Sequence, residues 1–317
     1  MRGAIRVCRS KYDLIVIGDS NTDMYARLTS YPAAGGCTFG ERLEALPGGT
    51  AVNTAVAAAR LGLKVAIVTV VGHDAEGQAI LDLLQSEGVD AQFVARAPQP
   101  TGCVFVALGP GGEHTFFSLR VECADWQLRR EHIPFEAVEE SAALYVSGVS
   151  IAEAGIVKRS ADAVLAALRI AREAGATTFL DPNLRLESPD VPNDVAQAME
   201  ACIRAVDYYM PNESEMESLA LRCGQLHGGI ATVIKQGNHG CTVISEPART
   251  PIAAMPVNVV DTTGAGDSFN AGFIVGILEG RPADEAGKLG TIVAGITVSR
   301  VGTISAFPTR SEVEQEG

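Results

Sequence analysis

A carboxylate beside three small residues is the feature of this sequence best suited to chemistry. Residues 261–273 read DTTGAGDSFNAGF, which places Gly264, Ala265 and Gly266 directly before Asp267. The preceding run MPVNVV is β-branched and predicts a strand, whereas the apolar residues that follow recur at helical spacing. The first backbone N–H groups of a helix have no intrahelical partner and attract anions. The pattern therefore predicts a phosphate cradle at a strand-to-helix corner.

Asp267 is the candidate base beside this cradle. A carboxylate next to a bound phosphate can take the proton of an attacking hydroxyl, which is the arrangement needed for phosphoryl transfer. The alternative is that Asp267 only caps a helix that begins in a glycine turn.

A second glycine corner, in PGGTAVNTAVAAARLG, suits a sugar. Gly48 and Gly49 precede a predicted helix that carries Asn53, and Asp23 in GDSNTDMY is the nearest candidate partner. Amide and carboxylate groups together offer the donors and acceptors that vicinal hydroxyls need. The alternative is that the glycines serve only to pack an alanine-rich helix.

Composition excludes several classes of protein. The chain has 317 residues, 47% of them hydrophobic, and a formal net charge of −13, so a nucleic-acid partner is disfavoured. The seven cysteines show no C-x-x-C spacing and the five histidines no H-E-x-x-H pattern, which disfavours zinc sites and disulfide frameworks. No apolar run approaches the roughly 18 residues that span a membrane. We expect a cytoplasmic protein with no membrane partner.

Strand-like and helix-like segments alternate along the chain. This alternation predicts an α/β protein with a doubly wound, mostly parallel sheet flanked by helices. Ligands of such sheets bind beyond the carboxyl ends of the strands. Five polar or glycine positions follow predicted strands: Asp23, Asp181, Asn183, Asn212 and Gly237.

Two segments interrupt the alternation. Residues 25–47 are rich in Gly, Pro and Thr, and residues 101–120 read as two strands joined by a glycine turn. We group both as a small β lid on one α/β domain that spans residues 1–317.

The whole pattern resembles the ribokinase-like carbohydrate kinases, also called the phosphofructokinase B family. The resemblance extends from Tyr12 to Pro308. Four motifs carry it, in the family's order: Gly48–Gly62, Asn212 to Glu215 (NESE), Lys235–Gly240 (KQGNHG) and Asp261–Phe273.

The resemblance implies a ribokinase-like fold and an ATP-dependent sugar kinase. Asp267 would activate the sugar hydroxyl, and the amides of Gly264, Ala265 and Gly266 would form the anion hole. Asn212 and Glu215 would organise Mg²⁺ through water. The sugar would be held by Asp23, Gly48, Gly49 and Asn53. The nucleotide would contact Lys235, Gly237, Gly240 and Thr291.

The resemblance also implies two optional features of the family. A K⁺ ion would bind near Asp261 and Thr263, with carbonyls around Arg300 and Gly302 on its other side. The lid would pair two subunits into a homodimer.

The sugar stays open between two candidates. Ser150 and Thr50 replace residues that hold ribose in ribokinase, whereas HTFFSLRVECADWQL and DPNLR resemble elements of fructokinases and 2-keto-3-deoxygluconate kinases. Arg120 and Arg185 could bind the carboxylate of a sugar acid. Alternatively, Arg185 pairs with a phosphate or a neighbouring acid and Arg120 lies on the lid surface. Fructose and 2-keto-3-deoxygluconate therefore stand equal, with ribose or a nucleoside as alternatives.

Other functional classes fit less well. A dinucleotide-binding G-x-G-x-x-G would need glycine at Phe269, and no Walker A sequence occurs. A hydrolase elbow around Ser150 would need glycine at Ala152. A sugar or nucleotide sensor that no longer turns over is the remaining alternative.

Overall fold

The computed structural model describes residues 11–32, 34–108, 114–184 and 190–316. Within these ranges the chain forms fifteen strands, nine α-helices and five short 3₁₀ helices. None of the helices in these ranges combines the length and apolar character needed to cross a bilayer. Arg185 lies outside the described residues.

The strands are β1 (Leu14–Ile17), β2 (Asn21–Leu28), β3 (Gly40–Gly48), β4 (Val65–Gly72), β5 (Val94–Ala97), β6 (Gly102–Leu108), β7 (His114–Leu119), β8 (Ala143–Ser147), β9 (Ala152–Glu153), β10 (Ile156–Val157), β11 (Thr177–Asp181), β12 (Tyr208–Tyr209), β13 (Ala231–Lys235), β14 (Cys241–Ser245) and β15 (Ala248–Ile252).

The α-helices are α1 (Thr50–Arg60), α2 (Ala75–Ser86), α3 (Phe135–Glu140), α4 (Ala161–Ala174), α5 (Asn193–Ile203), α6 (Glu213–Cys223), α7 (Ala265–Leu278), α8 (Ala283–Val298) and α9 (Arg310–Glu316). The 3₁₀ helices span Ala124–Gln127, Arg130–His132, Gly148–Ser150, Gly237–His239 and Ile304–Ala306.

Nine strands form one sheet in the order β15-β14-β13-β12-β11-β8-β1-β4-β5. The pairings from β5 to β13 are parallel, and only β14 and β15 run antiparallel to their neighbours. The predicted doubly wound, mostly parallel α/β sheet is thereby confirmed.

Both faces of this sheet are covered by helices. Along β1, Leu14 and Val16 belong to a core cluster that includes residues of α1, α7 and α8. Ile15 and Ile17 point to the opposite face, into a cluster with residues of α4 and α5. Successive side chains of a strand alternate between faces, so a strand buried on both sides reads as an unbroken apolar run, as LIVI does here.

A separate four-stranded sheet has the order β3-β2-β6-β7. Its strands come from the two segments that interrupt the alternation, and β6 and β7 form the expected antiparallel pair. The segments 25–47 and 101–120, predicted to form a β lid, thus contribute strands to one sheet, which includes residues 21–24 and Gly48 as well.

The strand predicted from MPVNVV is wrong, because residues 253–263 contain no regular element. β15 ends at Ile252 on the edge of the sheet, and no further strand pairs with it. Met255 instead packs against Gly295 of α8, where an added Cβ would lie 2.7 Å from Met255 Cβ. Val259 and Val260 remain more than half exposed. The β-branched residues here line a cavity rather than a sheet.

Candidate active site

A cavity of about 620 Å³ lies where the carboxyl ends of the parallel strands face the four-stranded sheet. Asp19 and Asp181 reach it from the ends of β1 and β11, Asp23 comes from β2, and Asn53 and Asp267 come from the first turns of α1 and α7. The cavity therefore collects polar residues from both halves of the chain.

The N-terminus of α7 forms one wall of this cavity. Gly264 precedes the helix with φ 75°, and an added Cβ would lie 2.6 Å from Thr303 Cγ2. Gly264 is therefore required by its backbone conformation and by close packing. Apart from its chain neighbours and the α7 backbone, the only described heavy atom within 4 Å of an added Cβ at Gly266 is Lys235 Nζ, at 3.9 Å. Space for an anion thus exists at Gly266.

The three amides predicted for the anion hole are not equivalent. The Ala265 N–H donates to the Thr262 carbonyl oxygen at 3.2 Å, which closes a turn before the helix. Among the described residues, the amides of Gly264 and Gly266 are therefore better placed than that of Ala265 to bind an anion.

Asp267 is held by a side chain from the other half of the chain. Asn53 Nδ2 donates to Asp267 Oδ2 at 2.7 Å. Asn53 Oδ1 is buried and has no hydrogen-bond partner among the described residues. This oxygen is an acceptor available to a donor in the cavity.

Arg120 lies at the opposite end of the cavity, buried in a cluster of carboxylates. Its Nη1 lies 3.3 Å from Asp19 Oδ2, its Nη2 lies 2.6 Å from Asp125 Oδ2 and its Nε lies 2.8 Å from Glu153 Oε1. Burial lowers the pKa of Arg120, but the neighbouring carboxylates outweigh burial and raise this pKa. The alternative that Arg120 lies on the lid surface is wrong, because its side chain is only 7% exposed.

A second buried cation completes this cluster. Lys158 Nζ lies 2.8 Å from Glu153 Oε2 and 3.6 Å from Asp125 Oδ2, and it sits 4.9 Å from the centroid of the Trp126 ring. Trp126 Nε1 donates to Glu153 Oε2 at 3.0 Å. Glu153 and Asp125 therefore bridge two cations each.

Lys235 supplies a cation at the α7 end. Its Nζ lies 2.5 Å from Asp181 Oδ2 and 3.5 Å from Asn270 Oδ1. Asn270 Nδ2 also donates to Asp181 Oδ2, at 2.6 Å, and to the Tyr145 hydroxyl, at 3.2 Å. This buried network holds the ammonium group near the Gly266 backbone.

Asn212 and Glu215 form a reciprocal cap at the start of α6. Asn212 Oδ1 accepts from the Glu215 N–H and Glu215 Oε2 accepts from the Asn212 N–H, each at 2.9 Å. Glu215 Oε1 accepts from the Leu184 N–H. Burial, together with the charge of Asp181, raises the pKa of Glu215 to about 7.

A second, more apolar cavity of about 550 Å³ adjoins the first. Residues 254–257, Val259 and the α8 residues Thr291, Ala294 and Gly295 line it. The two cavities share five residues, which mark their junction: Lys235, Gly237, Thr262, Ala265 and Gly266.

The sequence profile of the pfkB family carbohydrate kinases matches residues 11–310, nearly the whole chain. The chain belongs to this family. It is 28% identical to a 5-dehydro-2-deoxygluconokinase of Geobacillus thermodenitrificans, over 96% of this chain and 92% of the relative. It is also 28% identical to a fructokinase of Solanum tuberosum, over 84% of each chain. The fold matches an uncharacterized sugar kinase from Pyrococcus horikoshii in complex with ATP, with a TM-score of 0.83, 26% identity and coverage of 94% and 96%.

This carbohydrate kinase brings most of the predicted site residues to the two cavities. The polar cavity is lined by Asp23, Gly49, Asn53, Arg120, Asn212, Glu215, Lys235, Gly237, Thr263, Gly264, Ala265, Gly266 and Asp267. Gly240 and Thr291 line the apolar cavity. Gly48 lies behind Asp23, since a Cβ there would lie 2.8 Å from Asp23 Oδ2.

The two loops predicted to bind K⁺, around residues 261–263 and 300–302, also contact each other in the kinase. Asp261 Oδ1 accepts from the Thr263 N–H at 2.9 Å, and Asp261 Oδ2 accepts from the Gly302 N–H at 3.1 Å. The side chain of Arg300 turns away to Glu312, at 2.6 Å. Asp261 thereby joins the two loops.

Several cavity residues of this kinase were missed by the sequence reasoning. Asp19 follows β1 directly, so the strand-end rule that selected Asp23 could have found it. Glu153 and Asn270 carry no such signal, because one lies in a two-residue strand and the other within α7.

Proposed function

We propose that this chain transfers the γ-phosphoryl group of ATP to a sugar hydroxyl, with Asp267 as the general base. The observation that carries the proposal is the position of Asp267, beside the glycine amides of α7 and bonded to Asn53 in the polar cavity. The hydroxyl oxygen bonds to the γ-phosphorus while the bond to the β–γ bridging oxygen breaks. ADP leaves with that electron pair, and Asp267 takes the hydroxyl proton.

ATP spans the junction between the two cavities. The apolar cavity suits an adenine ring, because Met255, Val257 and Val259 line it. The phosphates then reach the glycine amides of α7 at the junction. A relative of known structure, the Pyrococcus horikoshii sugar kinase, was solved in complex with ATP, which supports ATP as the nucleotide.

Lys235 is the cation for these phosphates. It lines both cavities, and its Nζ lies close to the space in front of Gly266. Arg120 is the other cavity cation among the described residues, and it is held by carboxylates. Phosphoryl transfer is accelerated mainly by positioning and by charges that stabilise the transferring group.

Mg²⁺ would be held through water by Glu215. Each of its carboxylate oxygens accepts one hydrogen bond, from Leu184 or Asn212, which leaves an acceptor site on each oxygen. Asn212 Oδ1 already accepts from Ser214 and Glu215, so Asn212 positions the carboxylate instead. Mg²⁺ keeps several of its waters in proteins and would neutralise charge on the phosphates.

A K⁺ ion would bind between the two loops that Asp261 joins. Thr263 and the carbonyls near Arg300 and Gly302 would supply oxygen ligands. Turnover with and without K⁺ tests this assignment, since a bound cation next to the α7 N-terminus would support the anion hole.

The four-stranded sheet would close over the sugar and pair two subunits. Five apolar side chains on its strands or on the loop before β3 are exposed: Phe39, Leu46, Phe105, Phe117 and Leu119. Phe105 lies opposite Phe117 in the register of β6 and β7. Light scattering tests the homodimer, and a monomer at all accessible concentrations would exclude it.

Fructose and 2-keto-3-deoxygluconate are the acceptor candidates. One relative is named fructokinase, and another is named 5-dehydro-2-deoxygluconokinase, after a sugar acid that is an isomer of 2-keto-3-deoxygluconate. Ribose or a nucleoside is the alternative acceptor, and a sensor without turnover is the alternative function.

Coupled ADP release tests the function. We expect the purified protein with ATP and Mg²⁺ to phosphorylate one sugar from a panel of fructose, 2-keto-3-deoxygluconate, ribose and adenosine, each with and without K⁺. Asp267→Asn should lower kcat by about 10²–10⁴-fold, the usual effect of losing a positioned base, with ATP binding retained. Unchanged kcat in this variant would exclude the proposed mechanism, and ATP binding without turnover on any sugar would favour the sensor.

A further inference from the structure

We propose that the acceptor is an uncharged sugar, and that the carboxylates around Arg120 exclude sugar acids from the site. The inference rests on the proposed kinase function and deepens it, because it names the substrate class. It decides between fructose, which carries a hydroxymethyl group at C1, and 2-keto-3-deoxygluconate, which carries a carboxylate there.

The first step of the argument concerns Arg120 itself. A guanidinium group binds a substrate carboxylate best when its N–H groups are available as a fork. Here the nitrogens of Arg120 contact Asp19, Asp125 and Glu153 within 3.3 Å, and Nη1 also donates to Asn21. Nη1 and Nη2 thus donate three hydrogen bonds to protein acceptors, whereas Nε makes none within the described ranges and lies against Glu153 Oε1. A substrate carboxylate would have to displace a protein carboxylate to bind two adjacent N–H groups as a fork.

The second step is the charge balance of the cluster. Arg120 and Lys158 carry two positive charges, and Asp19, Asp125 and Glu153 carry three formal negative charges. Asp19, Glu153 and Arg120 line the cavity, whereas Lys158 and Asp125 are almost fully buried and do not line it. A ligand at this end therefore meets a net negative charge at low dielectric, where repulsion is strong.

The third step is the hydrogen-bonding character of the surface. The oxygens of Asp19 already accept hydrogen bonds from Thr50, Ala51, Ser147 and Arg120, whereas Asn53 Oδ1 is a buried acceptor with no partner among the described residues. Sugar hydroxyls donate to such oxygens. A substrate carboxylate only accepts hydrogen bonds, so beside Asn53 it would leave Oδ1 unsatisfied.

Two matched pairs of sugars test the inference directly. Fructose and 2-ketogluconate differ only at C1, a hydroxymethyl group in one and a carboxylate in the other, and 3-deoxyfructose and 2-keto-3-deoxygluconate differ in the same way. We expect kcat/KM for the uncharged member of each pair to be at least about 100-fold higher, because like charges brought together cost several kcal/mol. Equal values, or preference for the acid in either pair, would overturn the inference.

A variant locates the selectivity in the cluster. Glu153→Gln removes one negative charge at the cavity wall, and we expect it to shift the uncharged-to-acid ratio of kcat/KM by about 10-fold toward the acid. Glu140→Gln makes the same charge change at an exposed residue of α3 and should leave the ratio unchanged. If Glu153→Gln lowers kcat/KM equally for the uncharged sugar and for the sugar acid, Glu153 has only a structural role. That result would contradict the assignment.

Binding measurements separate this inference from the kinase function. Calorimetric titration of the wild-type protein with the four sugars does not depend on turnover. Tighter binding of the uncharged members without phosphorylation would uphold the charge selectivity while the proposed function fails. Tighter binding of the acids would overturn the selectivity whether or not phosphorylation occurs.

Discussion

Asn53 Nδ2 donates a 2.7 Å hydrogen bond to Asp267 Oδ2 across a separation of 214 residues. Both residues lie in the first turn of a helix, α1 and α7, and these helices pack against each other. The bond fixes the orientation of the proposed base. It also joins the predicted sugar corner to the predicted phosphate corner.

Loss of this bond should impair turnover more than ATP binding. We expect Asn53→Ala to lower kcat by about 10–100-fold, because a misplaced catalytic group costs on that order. The KM for the sugar should rise, whereas the KM for ATP should change little. Steady-state kinetics with each substrate varied measures all three values, and an unchanged kcat would show that Asp267 is positioned without Asn53.

Two glycines of the cradle should respond differently to an added methyl group. Gly264→Ala forces a left-handed residue into contact with Thr303 and Phe307, and should lower the free energy of unfolding by about 1–3 kcal/mol.

Gly266→Ala adds its methyl group to open space in the first turn of α7. Its unfolding free energy should stay within about 1 kcal/mol of wild type, since alanine is a good helix former. Turnover should fall at least about 10-fold, because the methyl group occupies the anion space. Urea unfolding and ADP release measure the two effects, and full activity would place the phosphate elsewhere.

The buried cluster should make Arg120 important for stability. Arg120→Met removes a cation from three buried carboxylates, of which Asp125 and Glu153 keep Lys158, and should lower the free energy of unfolding by about 3–5 kcal/mol. Lys288→Met removes the cation of the exposed pair with Glu285 and should leave the free energy of unfolding nearly unchanged. Urea denaturation at pH 7 compares the variants. If the two variants lower the free energy of unfolding equally, the buried carboxylates do not depend on Arg120 as their contacts indicate.

The ionisation of Asp74 should make the free energy of unfolding depend on pH under acidic conditions. Burial raises the pKa of Asp74, but hydrogen bonds from Thr101 and Gly77 outweigh burial and lower it overall. The folded state therefore holds the carboxylate to lower pH than the unfolded state does. The contribution of the Asp74 carboxylate to the free energy of unfolding is fully present above the ordinary pKa of about 3.9. It is lost as pH falls through the lowered pKa of the folded state.

Asp74→Asn should accordingly lower the free energy of unfolding by about 1 kcal/mol at pH 7. The difference from wild type should shrink as pH falls below about 3.9. Denaturant titrations at a series of pH values test this, and a difference that grows toward acid would contradict the sign.

Much of the fold followed from local pattern, with one informative failure. Runs such as LIVI and VAIVTVVG are apolar throughout because both faces of the sheet are covered, and they were recognised as strands. MPVNVV has similar composition but faces a cavity and α8. An apolar, β-branched composition indicates that a segment packs against apolar atoms. It does not indicate whether a neighbouring strand is present.

The sequence by itself determined the α/β class, the order of the elements and the residues around the α7 N-terminus. Those depend on short-range properties, namely period, glycine conformation and helix polarity. Tertiary structure alone decided what surrounds each charge. From the sequence, Arg120 could bind a sugar acid, but in the structure it is enclosed by nearby Asp125 and by Asp19 and Glu153 from more distant parts of the chain. Electrostatic partners depend on distances in space, which residue spacing along the chain does not contain.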